Sequence, residues 1–171
     1  MFKLYGISKN NIEIFAHPDS HPHREDLISE VLSLITLPED NTFFRATVDL
    51  GHIIGKDHLV ETYPGDNIVY LRRGNRAGES RMVLKEAADT SFVTIICCVC
   101  SKDETTPDEL VGKWVIVTLF EGQPGEREPW DRACQNNPEL KAKSEEFWAN
   151  HALVPTEDEM KIIKKGGSDN V

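Results

Sequence analysis

The strongest constraint on the fold is a pair of long apolar segments separated by a polar connection. Phe92–Cys100 is a run of apolar and β-branched residues, and Lys113–Glu121 is a second one after the polar stretch Lys102–Gly112. A continuous apolar run of this kind is typical of a buried central strand. The two segments therefore predict a long-looped antiparallel hairpin inside a sheet.

The sequence on either side of this pair predicts an α+β fold. Apolar residues recur at helical spacing in Arg24–Thr36, and Pro38 ends that helix. Asn137 is predicted to cap a second helix, which has Pro138 at its first position and runs to about His151. We therefore expect an N-terminal helix packed on a mainly antiparallel sheet of about five strands, with a C-terminal helix. Further short strands are predicted at Phe2–Tyr5, Ile12–Ala16, Phe43–Leu50, Asn67–Arg73 and Ser80–Lys85.

The length of 171 residues favours one domain with a full core. We expect residues 1–155 to form that domain, because the charged segment 156–171 ends in Gly-Gly-Ser and has the character of a flexible tail. No apolar run approaches the roughly 18 residues of a membrane helix. The first residues also lack the basic and apolar regions of a signal peptide. These features predict a cytoplasmic protein without membrane partners.

The cysteines predict reduced thiols. Cys97, Cys98 and Cys100 crowd into one apolar segment, where neighbouring residues of a strand are poorly placed to form a disulfide. Cys97 and Cys100 would point to opposite faces, so one metal ion cannot easily bind both. The histidine cluster at 17, 21 and 23 matches no known ligand spacing. We predict neither a metal nor a cofactor.

The charge distribution is uneven. The net charge of −10 argues against a nucleic-acid coat protein. Between residues 72 and 85, however, the sequence contains five basic residues and only one acidic residue. This basic hairpin gives candidate substrate-binding residues: Arg72, Arg73, Arg76, Ser80 and Lys85. Alternatively, these cations only form a solvent-exposed hairpin that keeps an edge of the sheet from pairing with other strands.

A set of residues suited to acid/base chemistry surrounds the basic hairpin. His52 and His58 lie in a glycine-flanked loop, and a histidine can act as a general acid or base near neutral pH. An arginine of this region is suited to binding a phosphate, and a hydroxyl such as that of Thr118 or Ser80 can donate to the same oxygens. Together they favour metal-independent cleavage of RNA, in which the 2′-OH is the nucleophile. The alternative is that the histidines and Thr118 are structural.

The order of these motifs resembles a ribonuclease superfamily. Gly51-His52, Tyr70-Leu71-Arg72-Arg73, Ser80–Val83, Val93–Ile96 and Val115–Phe120 follow one another as in the barnase–EndoU–colicin–RelE superfamily, over about residues 24–121. The resemblance implies a helix followed by an antiparallel sheet, a toxin or phage-related hydrolase, and an RNA substrate. It also implies roles for four residues: the acid/base is His52 or, in its place, His58, the phosphate clamp is Arg81, and the hydroxyl donor is Thr118.

A non-enzymatic function is the alternative. An acidic accessory protein can recognise a protein partner by charge complementarity. The surface would be the basic hairpin or the aromatic C-terminal segment with Trp130, Phe147 and Trp148, since exposed aromatic residues mark interfaces. A third interpretation is a small-molecule site under this aromatic segment.

Overall fold

The structure, a computed structural model, describes residues 2–17 and 25–166. The chain divides into two compact units. Unit 1 consists of Met1–Gly55 and Thr90–Gln123, and unit 2 of Lys56–Asp89 and Pro124–Val171. Each unit is therefore assembled from two separate stretches of the sequence.

The described residues contain four α-helices and eleven β-strands. The helices are α1 (Glu25–Leu34), α2 (Arg132–Gln135), α3 (Pro138–Asn150) and α4 (Glu157–Gly166). The strands are β1 (Lys3–Ile7), β2 (Glu13–Ala16), β3 (Phe43–Asp49), β4 (Gly55–Asp57), β5 (Leu59–Glu61), β6 (Ile68–Leu71), β7 (Ser80–Val83), β8 (Ala88–Thr90), β9 (Phe92–Val99), β10 (Trp114–Glu121) and β11 (His151–Leu153). None of the helices in this part of the chain has the length and apolar character needed to cross a membrane.

Unit 1 contains a five-stranded sheet in the order β1-β2-β10-β9-β3. The predicted hairpin is confirmed, because β9 and β10 pair antiparallel and lie inside the sheet. Only the pair of β2 and β10 is parallel among these neighbours. The register of β10 shifts between Ile116 and Thr118, which leaves Val117 as a bulge.

The helix α1 supplies one side of the core of unit 1. Ile28, Val31 and Leu32 lie on one face of this helix and are fully or almost fully buried. They pack against the inward-facing residues of the sheet, among them Ile95 and Ile116. Burying a side chain of this size contributes about 1.5–3 kcal/mol. The apolar stripe of the sequence is therefore what fixes α1 on the sheet.

Unit 2 contains a four-stranded sheet in the order β5-β11-β7-β6. The predicted hairpin of β6 and β7 is confirmed as an antiparallel pair. The core is small and centres on Val83, Ala152 and Val154. The helix α3 begins after Asn137, whose side chain accepts hydrogen bonds from the backbone N–H groups of Glu139 and Leu140. This N-cap is the one that the sequence predicts.

The α+β class is confirmed, but the prediction of a single sheet of about five strands with one N-terminal helix is wrong. The strands fall into two larger sheets and a two-stranded sheet of β4 and β8. The short strands β4, β5, β8 and β11 carry too few residues to show a clear period, so the sequence does not reveal them. In the predicted tail, α4 extends over Glu157–Gly166, and residues 167–171 lie outside the described part. Arg24, the predicted start of α1, also lies outside it.

Candidate functional site

The residues predicted for RNA cleavage are divided between the two units. His52 and Thr118 belong to unit 1, whereas His58 and Arg81 belong to unit 2. All five residues of the basic hairpin belong to unit 2. The surroundings of each residue within its own unit therefore decide what it can do there.

His52 is an exposed residue that forms an ion pair with the first helix of unit 1. Its Nε2 lies 2.7 Å from Oε1 of Glu30 in α1. The hydrogen bond and the charge of Glu30 raise the pKa of His52, because both favour the imidazolium form. His52 thus links the loop after β3 to α1.

Thr118 lies in the sheet of unit 1, and His52 lies in the loop that follows β3. Thr118 in β10 is the register partner of Ile96, which in turn pairs with Arg45 in β3. His52 lies beyond Asp49, the last residue of β3. From Arg45 to Asp49 the strand advances by about 13 Å, at roughly 3.3 Å per residue. The register therefore places Thr118 and the end of β3 that precedes His52 at different points along the sheet.

His58 connects two segments of unit 2. Its Nδ1 donates to the carbonyl oxygen of Val154 at 3.1 Å, and the Val154 amide donates to the His58 carbonyl oxygen at 2.7 Å. The first bond places the proton on Nδ1 when the ring is neutral. This reciprocal pair continues the ladder of β5 and β11 by one residue.

Most cations of the basic hairpin already have carboxylate partners in unit 2. Arg73 and Arg76 lie 3.6 and 3.4 Å from the Glu128 carboxylate, whose side chain is only 10% exposed. Lys85 lies 3.0 Å from Asp66, and Arg72 is exposed. The pKa of Asp66 is lowered chiefly by the hydrogen bond from the Tyr63 amide, with Lys85 next. Ser80 is fully buried and accepts from Nε of Arg73 at 3.1 Å, so it cannot act on a bound substrate.

Arg81 differs from these cations in its partners. Its Nη1 donates to the Thr62 hydroxyl at 3.0 Å and to the His151 carbonyl oxygen at 2.8 Å. Within the described part of the chain, no carboxylate forms an ion pair with Arg81. The guanidinium group is thus held in place by neutral oxygens and keeps Nε and Nη2 for other acceptors.

A pocket of about 390 Å³ lies within unit 2, beside Arg81. Three elements form its walls: the hairpin of β6 and β7, the loop before α2, and α3. Its residues share either an aromatic ring or a charge, with two small apolar exceptions, and they are Tyr70, Glu79, Arg81, Glu128, Pro129, Trp130, Glu145, Trp148 and Ala149. Ligand pockets typically range from about 300 to 1,000 Å³, so this volume suits a small group.

The two tryptophans of the pocket differ in whether the indole N–H has a hydrogen-bond acceptor. The buried Trp148 donates its indole N–H to the carbonyl oxygens of Glu126 and Arg127, both at 3.2 Å. The indole Nε1 of Trp130 is buried and has no hydrogen-bond partner among the described residues. Buried donors are nearly always satisfied in folded proteins. The indole N–H of Trp130 is therefore an unsatisfied buried donor on a residue that lines the pocket.

Gly78 fixes the position of Trp130. A Cβ atom added at Gly78 would overlap the Trp130 side chain, so the indole packs directly on the glycine backbone. A side chain at this position would force the indole or the backbone around Gly78 to move.

The pocket carries more negative than positive charge. Three glutamates and one arginine line it. Glu128 is paired with two arginines, whereas Glu145 lies 3.8 Å from Lys141 and is largely exposed. Glu79 forms no ion pair with another described residue and is also exposed. Two carboxylates without a close ion-pair partner and three aromatic rings thus line the pocket.

No metal-binding cluster of three or more His, Cys, Asp or Glu side chains occurs among residues 2–17 and 25–166. His21 and His23 of the N-terminal histidine cluster lie outside these residues. The four cysteines are free thiols. Burial raises the pKa of Cys97 to about 12, with a smaller effect of Cys98, so this thiol is a core residue and not a nucleophile.

Comparison of the chain with protein-family models, with curated proteins and with solved structures finds no match. The resemblance to the barnase–EndoU–colicin–RelE superfamily therefore stays a prediction.

Arg81 and the aromatic segment can be selected from the sequence, but not all of the carboxylates that line the same pocket can. Glu145 and Trp148 are three residues apart and lie on the same face of α3, which is a signal that the sequence contains. The proximity of Glu79 and Tyr70 to that face has no local signal, because it depends on the packing of the hairpin in unit 2.

Proposed function

We propose that unit 2 is a binding module that holds a basic segment of a protein partner in this pocket. The observation that carries the proposal is the meeting of Tyr70, Trp130 and Trp148 with the carboxylates of Glu79 and Glu145 around one small volume. Aromatic faces and carboxylates together attract a lysine or arginine side chain. A cation over an aromatic ring gains about 0.5–2 kcal/mol, depending on its desolvation.

The charge of the whole protein supports the same kind of partner. The net charge of −10 attracts basic proteins over a distance and raises the rate of association. Within unit 2, the cations of the basic hairpin are largely occupied by Glu128 and Asp66, so they do not reverse this effect.

The ribonuclease hypothesis has weaker support than binding. It requires a histidine, an arginine and a hydroxyl group around one phosphate. Inside unit 1, the register places Thr118 away from the end of β3 that precedes His52, and His52 is paired with Glu30. Inside unit 2, Ser80 is buried. Catalysis by His52, His58, Arg81 and Thr118 stays a prediction with a test of its own, given in the Discussion.

The test measures binding of short synthetic peptides by calorimetry. One peptide carries a lysine near its end, and its counterpart carries glutamine there. We expect the lysine peptide to bind at least about tenfold more tightly, which corresponds to about 1.4 kcal/mol. Equal affinity of the two peptides, or no binding of either, would overturn the proposal.

Two pairs of variants localise the binding. Tyr70→Ala should weaken it several-fold, whereas Tyr63→Ala should not, although the two tyrosines are equally exposed at 61% and 62%. Glu79→Gln should also weaken it, whereas Glu104→Gln in the exposed loop of unit 1 should leave it unchanged. Loss of binding in the two control variants as well would place the peptide elsewhere.

A further inference from the structure

We infer that the pocket recognises the C-terminal residue of its partner, with the terminal carboxylate bound by Arg81 and Trp130. This inference rests on the proposed binding function and specifies which part of the basic partner enters. It starts from the hydrogen-bond donors of the pocket that the protein itself does not use.

The unused donors are too many for a peptide carbonyl group. Arg81 donates only from Nη1 to Thr62 and His151, so the N–H groups of Nε and Nη2 are without acceptors among the described residues. Trp130 lines the same pocket, and its buried N–H has no hydrogen-bond partner among the described residues. A carbonyl oxygen accepts two hydrogen bonds, whereas a carboxylate has about four acceptor positions. Arginine also matches a carboxylate with two parallel bonds.

The charges of the pocket agree with a ligand that carries both signs. Arg81 is a cation without an ion pair among the described residues, while Glu79 and Glu145 have no strong partner. The carboxylate of Asp66 does not neutralise Arg81, because it already accepts hydrogen bonds from the Tyr63 amide and from Lys85. Of the causes that lower the pKa of Asp66, the charge of Arg81 is the smallest. A C-terminal lysine or arginine supplies an anion for Arg81 and a cation for the two glutamates.

The guanidinium group of Arg81 is already ordered by hydrogen bonds within unit 2. The Thr62 hydroxyl and the His151 carbonyl fix one end of the guanidinium group, and both belong to strands or strand ends of unit 2. A side chain that is already ordered loses less conformational entropy on binding. The small volume, about 390 Å³, further favours an end residue over a continuous segment.

The experiment uses the full-length protein and four peptides of one sequence in calorimetry. They end in lysine or in glutamine, and each has either a free C-terminal carboxylate or a C-terminal amide. We expect the amide to weaken binding of the lysine peptide about tenfold or more, since a charge-assisted bidentate contact is lost. Equal affinity of the free acid and the amide would overturn the inference while leaving the basic-segment proposal intact.

The variant Trp130→Phe separates the donor from the ring. It keeps an aromatic side chain but removes the indole N–H, so the advantage of the free acid over the amide should shrink several-fold. The affinity of the amide peptide should change little. An unchanged advantage in Trp130→Phe would contradict the role of this donor.

The four peptides also distinguish recognition of a basic side chain from recognition of a C-terminal carboxylate. If lysine and glutamine peptides bind alike, the proposed function fails, whatever their C-termini. Free lysine is a further probe, because it carries both charges without a chain. If it binds as tightly as the peptide acid, the ligand is a small zwitterion, and recognition of a partner's C-terminus is overturned.

Discussion

At the scale of single residues, Gly78 packs against Trp130, which lines the pocket. Gly78→Ala places a methyl group inside the volume of the indole, so the ring or the backbone must move. We expect this overpacking to lower the free energy of unfolding by about 1–3 kcal/mol, measured by urea denaturation. Peptide binding should fall as well.

The control for this substitution is Gly166→Ala. Gly166 ends α4, and a Cβ atom there meets nothing within 4 Å. This variant should be as stable as the original protein. Equal stability of the Gly78 variant would show that Trp130 can shift at little cost.

The ion pair of His52 and Glu30 makes a pH-dependent contribution to stability. Glu30 raises the pKa of His52, so folding favours the protonated ring. This contribution is fully present below the unfolded-state pKa of about 6.5 and is lost as the pH rises through the higher folded-state value. The stability difference between the original protein and His52→Ala should therefore be larger at about pH 6 than at about pH 9.

Two further measurements check the origin of this effect. The variant Glu30→Gln should lower the pKa of His52 in an NMR titration and remove most of the pH-dependent difference. A His52 pKa that does not change in Glu30→Gln would contradict the ion pair.

At the scale of secondary-structure elements, the N-cap of α3 controls one wall of the pocket. The Asn137 side chain accepts from two backbone N–H groups of the first turn, and α3 carries Glu145 and Trp148. Asn137→Ala should cost about 0.5–2 kcal/mol of unfolding free energy, measured by denaturation with tryptophan fluorescence as the signal.

The neighbouring Asn136 provides a matched control for that substitution. Its side chain is exposed and makes no hydrogen bond to the described residues, although its backbone N–H caps α2. Asn136→Ala should therefore change stability by much less. A similar loss in both variants would show that α3 does not depend on its N-cap.

The elements also explain which parts of the fold the sequence predicts. The apolar stripe of α1, the long runs of β9 and β10, and the cap of α3 are local patterns, and the structure confirms all of them. The three-residue strand β11 is different, because it forms by pairing with β5 and β7, which lie far away in the sequence. Its sequence, His-Ala-Leu, contains no period that identifies a strand.

The same distinction applies to the candidate site. A histidine, an arginine and a threonine can be selected from the sequence because their chemistry is known, as with His52, Arg81 and Thr118. Their distribution over two units arises because each unit combines segments that are distant in the sequence, such as 1–55 and 90–123. Local sequence patterns do not show which distant segments belong to one unit. The unsatisfied N–H of Trp130 is likewise a property of packing alone.

At the scale of the whole molecule, charge separates the two hypotheses about function. A net charge of −10 repels RNA and attracts basic proteins. Most cations of the basic hairpin are paired inside unit 2 and offer little compensation. We therefore expect association with a basic peptide to slow as salt is added, because screening shortens the range of the attraction.

The last prediction concerns RNA cleavage, tested with purified protein and total RNA in EDTA. The binding proposal predicts no cleavage above a protein-free control, because RNA meets a repelling charge and His52 is paired with Glu30. The ribonuclease hypothesis predicts cleavage that His52→Ala abolishes and that Glu30→Gln, which keeps the histidine, preserves. This pattern would establish His52 as the acid/base residue and contradict our expectation. Cleavage that survives in both variants but is lost in His58→Ala would instead assign that role to His58.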